Sequence, residues 1–392
     1  MITDETAAPR GTGVPTLNEY RDALVAWLAD QRTELDPFRA RHPFSVEDRN
    51  RHLRPLHRLL YSVGWARWGW PEFVGGFGGP VLLRGVLYEE LCRAGLRLPD
   101  SMLQQEVMAP VVCAVAPEFA RTHVPALIAG EETWSQGFSE PEAGSDLGGL
   151  RCRAELRNGE YLVNGHKIWA SFGHLARRCL LLVRTGTPDS RHRGLSFLLV
   201  DHDTPGVTVR PIRTASGRND VSELHFEDAR VSEDRMVGEP GSGWESAMHL
   251  LQWERGMYAW QRQASLHTEL HEALHSVTGL SEATVERIGV AYRQLHSLRL
   301  ASRRTLRALS DGRNPGPAIS VDKILLSRAE QAVHAVMREL SRSNFELGSG
   351  ADADLLRADF WYARTASIYG GSVEIQRSIL ADQVLRLPKE GR

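Results

Sequence analysis

Two changes of hydrophobic period constrain this chain more than any other feature. From residue 16 to about 130, apolar residues recur every three or four positions, as in YRDALVAWLADQR, DRNRHLRPLHRLLYSVGW and VLLRGVLYEELCRAG. That spacing puts the apolar residues on one face of a helix. From about 131 to 240 the runs shorten and turn residues punctuate them, as in LRCRAELR, EYLVNG, CLLLVRT, GLSFLLVDH and VTVRPIR. Short runs bounded in this way read as strands. After Gly241-Ser242-Gly243 the helical period returns and lasts to about 388, with breaks at VTGLSE near 280 and DGRNPGPA near 315. The expected fold class is α+β and multidomain: an N-terminal α-helical domain (16–130), a middle antiparallel β domain of barrel or sandwich type (131–240) and a C-terminal helical bundle (241–388).

Local chemistry refines this outline. Asn158-Gly159 and Asn164-Gly165 are dipeptides that accept positive φ, so each predicts a tight hairpin and argues against a Rossmann-type parallel winding. GWPEFVGGFGGP at 69–80 is too rich in Gly and Pro for regular structure; it reads either as an interhelix turn or as a loop close to a ligand. The stripe Ile288, Ala291, Leu295 and Leu298 is expected to be a core face of antiparallel helices.

Composition excludes several function classes. A formal net charge of -2, with no basic run interleaved with aromatics, predicts no nucleic-acid partner. No apolar stretch approaches the roughly 18 residues of a span, so no membrane insertion is expected. The acidic start MITDETAAPRGTG carries neither a basic nor an apolar leader region, which points to the cytoplasm. Cys92, Cys113, Cys152 and Cys179 are scattered, without CxxC or nearby histidines, so reduced thiols and no metal site are expected. Only Lys167, Lys323 and Lys389 among 47 basic residues are lysine, which reads as the coding bias of a GC-rich bacterial genome.

The chemically informative segments are W-S-Q-G-F-S-E-P-E-A-G-S-D-L-G-G at 134–149 and N-G-H-K-I-W-A-S at 164–171. Ser139, followed by the small residues Ala143, Gly144 and Ser145, offers hydroxyls and approachable backbone N–H groups to a polar heteroaromatic ring and a thioester tail. Trp169 offers a planar wall. Taken alone, either segment also reads as a hairpin whose small residues merely permit a turn.

G-F-S-E-P-E-A-G-S-D-L-G-G closely resembles the first signature of the acyl-CoA dehydrogenase family, and I-Y-G-G-S-V-E-I-Q-R at 368–377 resembles its closing motif. The likeness extends over nearly the whole chain through the order of its helical and strand segments. It implies an FAD cofactor. Gln136, Phe138 and Ser139 match positions at the flavin pyrimidine edge. Trp169, Ala170 and Ser171 match the strand against which the isoalloxazine packs, and Ser372, Val373 and Glu374 match flavin contacts of the closing motif. Ser145, Arg255 and Gly371 match positions that contact substrate, Ser145 on its CoA portion.

One departure decides the expected chemistry. In the familiar branch of the family a glutamate precedes the Gly of the closing motif; here that position is Gly370. A branch similar to isovaleryl-CoA dehydrogenase carries its base in a Glu-Arg pair on the first long helix of the C-terminal domain. L-Q-W-E-R-G at 251–256 places Glu254 there. The resemblance therefore implies α,β-dehydrogenation of an acyl thioester, on CoA or a carrier protein, with Glu254 removing the α proton as the β hydride goes to flavin N5. A backbone N–H at Ser372 or its neighbour would help hold the thioester carbonyl. Trp253, Met257 and Trp260 read equally as pocket walls or as core.

The far end of the cofactor departs too. The Arg-x-x-Phe-Gly and Gln-x-x-Gly-Gly-x-Gly elements that grip FAD across subunits are not intact, with Phe345 and Ala351 standing at changed positions of the second. Backbone amides of Gly348–Gly350 would then hold the pyrophosphate, or a partner subunit would supply the grip. The implied partners are an electron-transfer flavoprotein or similar acceptor, and an assembly that is a homodimer, a homotetramer or a heterotetramer with a related subunit. Two alternatives stand beside this expectation: a flavin-dependent monooxygenase or oxidase on the same fold, and a non-catalytic subunit of a heteromeric dehydrogenase.

Overall fold

The computed structural model describes residue 8 and residues 13–39, 43–275 and 277–388; most of the acidic start of the chain and Lys389 lie outside them. Helices occupy both ends of the described chain and strands its middle, as the changes of period predict. The helices are α1 (Leu17–Asp30), α2 (Arg32–Leu35), α3 (Val46–Ser62), α4 (Leu82–Arg93), α5 (Asp100–Val115), α6 (Pro117–Ile128), α7 (Gly243–His275), α8 (Glu282–Ser310), α9 (Ser320–Leu340), α10 (Arg342–Leu347), α11 (Ala351–Thr365) and α12 (Val373–Ile379). The strands are β1 (Trp134–Gly137), β2 (Arg153–Arg157), β3 (Glu160–Ser171), β4 (Arg178–Arg184), β5 (Leu195–Asp201), β6 (Val207–Ile212), β7 (Val221–Ser232) and β8 (Met236–Val237). Contacts gather these elements into two compact units. A helical unit holds the described residues up to Phe44, Arg51–Pro99 and the chain from Glu254 onward; a sheet unit holds Ser45–Asn50 and Asp100–Trp253.

In the helical unit, local signals start the helices and apolar stripes pack them. Thr16 accepts the Glu19 N–H at 3.3 Å while the Glu19 carboxylate accepts the Thr16 N–H at 2.8 Å, a reciprocal cap on α1. The core joins Ala259, Leu266 and Leu270 of α7 to Ala291, Leu295 and Leu298 of α8 and Leu326, Ala329, Val333 and Val336 of α9, with Ile288 packed against it. The predicted stripe is therefore the core face of α8, and each fully buried leucine there contributes about 1.5–3 kcal/mol. Met257 and Trp260 are also buried, and the Trp260 indole donates to the Gly85 carbonyl at 2.8 Å, which favours the core reading for both. The glycine-rich loop at 69–80 folds on itself. A side chain at Gly76 would stand 2.1 Å from the Trp70 carbonyl oxygen, so close packing of the loop accounts for that glycine.

In the sheet unit the strand order is β6-β7-β3-β2-β4-β5-β8, with β1 paired to β4. Neighbours run antiparallel except for the β1–β4 pairing and a single β2–β4 contact, which are parallel. Asn158 and Gly159 adopt φ of 54° and 80° and close the β2–β3 hairpin as expected. Asn164-Gly165 does not turn the chain. It lies inside β3 at a register shift between Val163 and Gly165, where a side chain at 165 would meet Cys152 Cα at 2.6 Å. Asn-Gly suits a bulge as well as a turn, because both need backbone freedom. The four cysteines are free, with Cys92, Cys152 and Cys179 buried. Among the described residues no helix is long and apolar enough to cross a membrane.

Candidate active site

On the sheet unit, a buried ion pair organises the loop that follows β1. Lys167 lies fully buried on the inward parity of β3, in step with Tyr161 and Val163. Its ammonium donates to the Glu140 carboxylate at 2.7 Å and to the Phe138 carbonyl at 3.0 Å. Glu140 also accepts the N–H groups of Arg151 (2.7 Å) and Cys152 (2.9 Å). Burial alone would raise the Glu140 carboxyl, but Lys167 and these donors hold it below the ordinary carboxylate range. The strands are thereby tied at the point where Ser139 accepts the Ile168 N–H through its carbonyl, at 2.9 Å.

The predicted residues of this unit sit around that tie. Gln136 lies on β1, Phe138 is buried and stacked on Phe197 with centroids 5.4 Å apart, and Ser139 is half-buried. Beyond a register shift between Lys167 and Ala170, Trp169 takes φ of 64° and leaves 57% of its surface exposed, while Ala170 is buried and Ser171 exposed. A bulky residue in the left-handed region costs about 1–2 kcal/mol, so the surrounding strands must enforce that backbone. Gln104 donates to the Ser171 carbonyl at 3.2 Å, and its own amide oxygen is buried without a hydrogen-bond partner. Ser145 is exposed in the loop after Ala143.

On the helical unit, Glu254 and Arg255 project from α7 towards the segment before α12. Gly370 and Gly371 have φ of 62° and 90°. A Cβ on Gly370 would lie 3.0 Å from Glu254 Oε1 and 3.5 Å from Lys323 Cε; one on Gly371 would lie 2.4 Å from Gln376 Nε2 and 3.5 Å from Arg255 Nη2. Arg255 donates to the Gly370 carbonyl at 3.4 Å. The Glu254 carboxylate thus reaches the space that a side chain at 370 would enter.

Lys323 of α9 is the cation beside it. The residue is 98% buried, and its ammonium donates to the Ala366 carbonyl at 2.5 Å and stands 3.9 Å over the Tyr369 ring. Burial pushes this ammonium down to about 8, against the opposing pull of Glu254 and Glu330. The Tyr369 hydroxyl donates to Glu330 at 3.1 Å, and Glu330 also accepts Arg262 at 2.6 Å. Arg255 is likewise lowered by burial, with Glu254 opposing.

The closing motif shows what can bind there. Ser372 caps α12 by accepting the Ile375 N–H at 3.4 Å, Val373 is buried and Glu374 is exposed. The Val373 N–H donates to Ser367, which withdraws it as a thioester donor. Gln376 is fully buried with neither amide atom hydrogen-bonded, an arrangement that suits a polar ligand at this segment. Further along, the Gly348 N–H is taken by the Asn344 carbonyl and Arg357 binds the carbonyls of Phe345 and Gly348. Phe345 packs on Phe360. The expected pyrophosphate nest therefore loses its first amide.

Lys167, Glu140, Lys323 and Gln376 carry these sites and had no role in the sequence reading. The two lysines were legible in principle. With only three in the chain, two fall at apolar-face positions of β3 and α9, which a coding bias does not explain.

Residues 135–229 match the acyl-CoA dehydrogenase middle domain and residues 241–385 the acyl-CoA dehydrogenase C-terminal domain. Over 390 residues the chain is 32% identical to the acyl-CoA dehydrogenase IpdE1 of Mycobacterium tuberculosis H37Rv, covering 96% of this chain and 99% of that protein. Among solved structures, it is similar to the ChsE4–ChsE5 complex from Mycobacterium tuberculosis, with 25% identity, a TM-score of 0.75 and coverage of 97% and 100%. It shares its fold with the Tcur3481–Tcur3483 steroid ACAD at 23% identity, a TM-score of 0.79 and coverage of 95% and 98%. The fold and the matched domains define the class, a flavoprotein oxidoreductase family. The chain belongs to the acyl-CoA dehydrogenase family.

Proposed function

We propose that the chain catalyses α,β-dehydrogenation of an acyl-CoA thioester, with Glu254 as the base. The observation that carries this reading is the 3.0 Å approach of Glu254 Oε1 to the Cβ position of Gly370. A carboxylate from α7 reaches the place where the family's familiar branch has its glutamate side chain. A solvated helix glutamate would have no reason to face a left-handed glycine and a buried ammonium.

On the sheet unit, Gln136, Phe138, Ser139, Trp169, Ala170 and Ser171 would contact FAD; on the helical unit, Ser372, Val373 and Glu374 would contact FAD. On the sheet unit, the exposed Trp169 indole and the buried, unpartnered amide oxygen of Gln104 fit a planar ring with polar edges; on the helical unit, the buried amide of Gln376 fits a polar ligand. When bound, FAD supplies the two-electron acceptor of the reaction. Glu254 takes the α proton, and Lys323 stands close to it as a buried cation in a low-dielectric interior. Ser145, Arg255 and Gly371 meet the thioester and its CoA portion, Arg255 as a charge-assisted donor.

The reading extends to an electron-transfer flavoprotein or similar acceptor, a cytoplasmic setting and assembly with a second copy or a related subunit. Exposed apolar residues of the C-terminal segment support the assembly, among them Trp361 (48%), Ile368 (68%) and Leu385 (64%). So does the two-protein ChsE4–ChsE5 complex among the relatives.

The test is anaerobic reduction of the bound flavin by a panel of acyl-CoA thioesters. In Glu254→Gln the flavin content and circular dichroism stay those of the parent, while bleaching slows by about 10²–10⁴-fold. Bleaching within a few-fold of the parent would remove Glu254 from the mechanism.

A further inference from the structure

A group of metal-ligating residue types outside the assigned flavin contacts lies on the sheet unit. His225 and Glu223 are two apart on β7, so they share one face of the sheet, and His166 on β3 is the direct register partner of His225. All three alternate with buried positions, Lys167 on β3 and Ser222, Leu224 and Phe226 on β7, and so face away from the sheet core. Their side chains are about one-third exposed, which leaves the group open to an ion from solvent.

The distances fit a small cation. Glu223 Oε2 lies 3.0 Å from His225 Nε2 and 3.7 Å from His166 Nε2. Tetrahedral zinc, with bonds of about 2.0–2.2 Å to nitrogen and oxygen, sets its ligand atoms about 3.4 Å apart. The two spacings bracket that value, and one ligand atom from each residue falls within 4.8 Å of the others. His166 Nε2 is buried and makes no hydrogen bond, the 3.7 Å gap being too long. A buried unpaired nitrogen costs stability that a bound cation would return. The imidazole rings stack with centroids 4.1 Å apart and planes at 16°, so they must turn about Cβ–Cγ to aim both lone pairs at one ion. Arg210, opposite Glu223 on β6, is exposed and competes only as a solvated guanidinium.

We infer that His166, Glu223 and His225 form a binding site for a divalent first-row transition cation such as zinc, with water completing the coordination. Two imidazoles and one carboxylate suit such ions better than magnesium or calcium, which prefer oxygen ligands. The ion clasps β3 to β7 one residue before the register shift that leads into Trp169. This site does not depend on the dehydrogenase reading.

The experiment uses the full chain, free of any affinity tag and stripped with chelator, titrated with zinc chloride by calorimetry. One equivalent binds with a dissociation constant below about 10 μM. His166→Ala and His225→Ala each weaken binding by at least about tenfold, and Glu223→Gln does the same while keeping the shape of the exposed face. Circular dichroism confirms folding of each variant, and Glu223→Gln decides the matter if an alanine variant misfolds. Absence of binding to the parent at 100 μM zinc, about tenfold above the expected constant, overturns the site. So does undiminished affinity in Glu223→Gln or in the His166→Ala/His225→Ala double variant, which would put the zinc on other histidines.

Discussion

The sheet unit and the helical unit each bury a lysine near a glutamate, yet the two lysines are held differently. Lys167 has a carboxylate at 2.7 Å and a carbonyl at 3.0 Å, and its partner Glu140 is further bound by two backbone N–H groups. Lys323 has the Ala366 carbonyl and the face of Tyr369, with Glu254 and Glu330 acting on it through space. The first arrangement is compensated on both sides and so fixes a loop. The second leaves the ammonium only partly compensated, and burial brings it to about 8, within reach of ordinary pH. The difference separates a tie that fixes the backbone around Ser139 and Ile168 from a charge that, on the proposed mechanism, tunes a base.

The sharpest way to break that comparison is Lys167→Met. Removing one partner of a buried pair should cost about 3–5 kcal/mol, seen as a fall in the denaturation midpoint together with loss of flavin. The double variant Lys167→Met/Glu140→Gln should recover most of that stability, because no charge is then stranded. A smaller effect is expected at Gly370→Ala. Its left-handed backbone costs about 1–2 kcal/mol, and its Cβ at 3.0 Å should displace Glu254 and lower kcat by about tenfold. Gly312→Ala is the control: φ there is 68° with no atom within 4 Å, so a similar thermal shift should come without loss of kcat.

The smallest effect distinguishes tuning from scaffolding. As pH rises through about 8, Lys323 loses its charge. A carboxylate is a stronger base without a cation beside it, so on the proposed mechanism kcat of the parent should rise a few-fold across that window. In Lys323→Met the profile should be flat there, at the upper level. Stability carries a second check: the folded ammonium is lowered from the ordinary lysine value of 10.5, so the contribution of Lys323 is complete above about 10.5 and is lost as pH falls through about 8. Denaturation midpoints across this range should show that slope in the parent and not in the variant.

Much of this was legible before any coordinates. The changes of period near 131 and 241 place the helices and strands, because burial of one face imposes a period that the chain cannot hide. The Asn158-Gly159 hairpin and the α8 core stripe were local readings of the same kind. Asn164-Gly165 was not, since the residues that permit a turn also permit a bulge, and only the partner strand β7 decides between them. The parallel pairing of β1 with β4 was equally out of reach, because alternation reports a strand's faces and not its neighbours.

For the site, sequence alone determined the motif residues and the vacancy at Gly370, since both are matters of residue type and spacing. Tertiary structure decided what fills that vacancy and what charges surround it. Glu254 and Gly370 are 116 positions apart, and Lys323 comes from a second helix, α9. Such pairs meet only when α7 and α9 pack into one core, a cooperative outcome that no local pattern of residues records. The buried lysines make the same point: an ammonium tolerates such places only when folding delivers its partners.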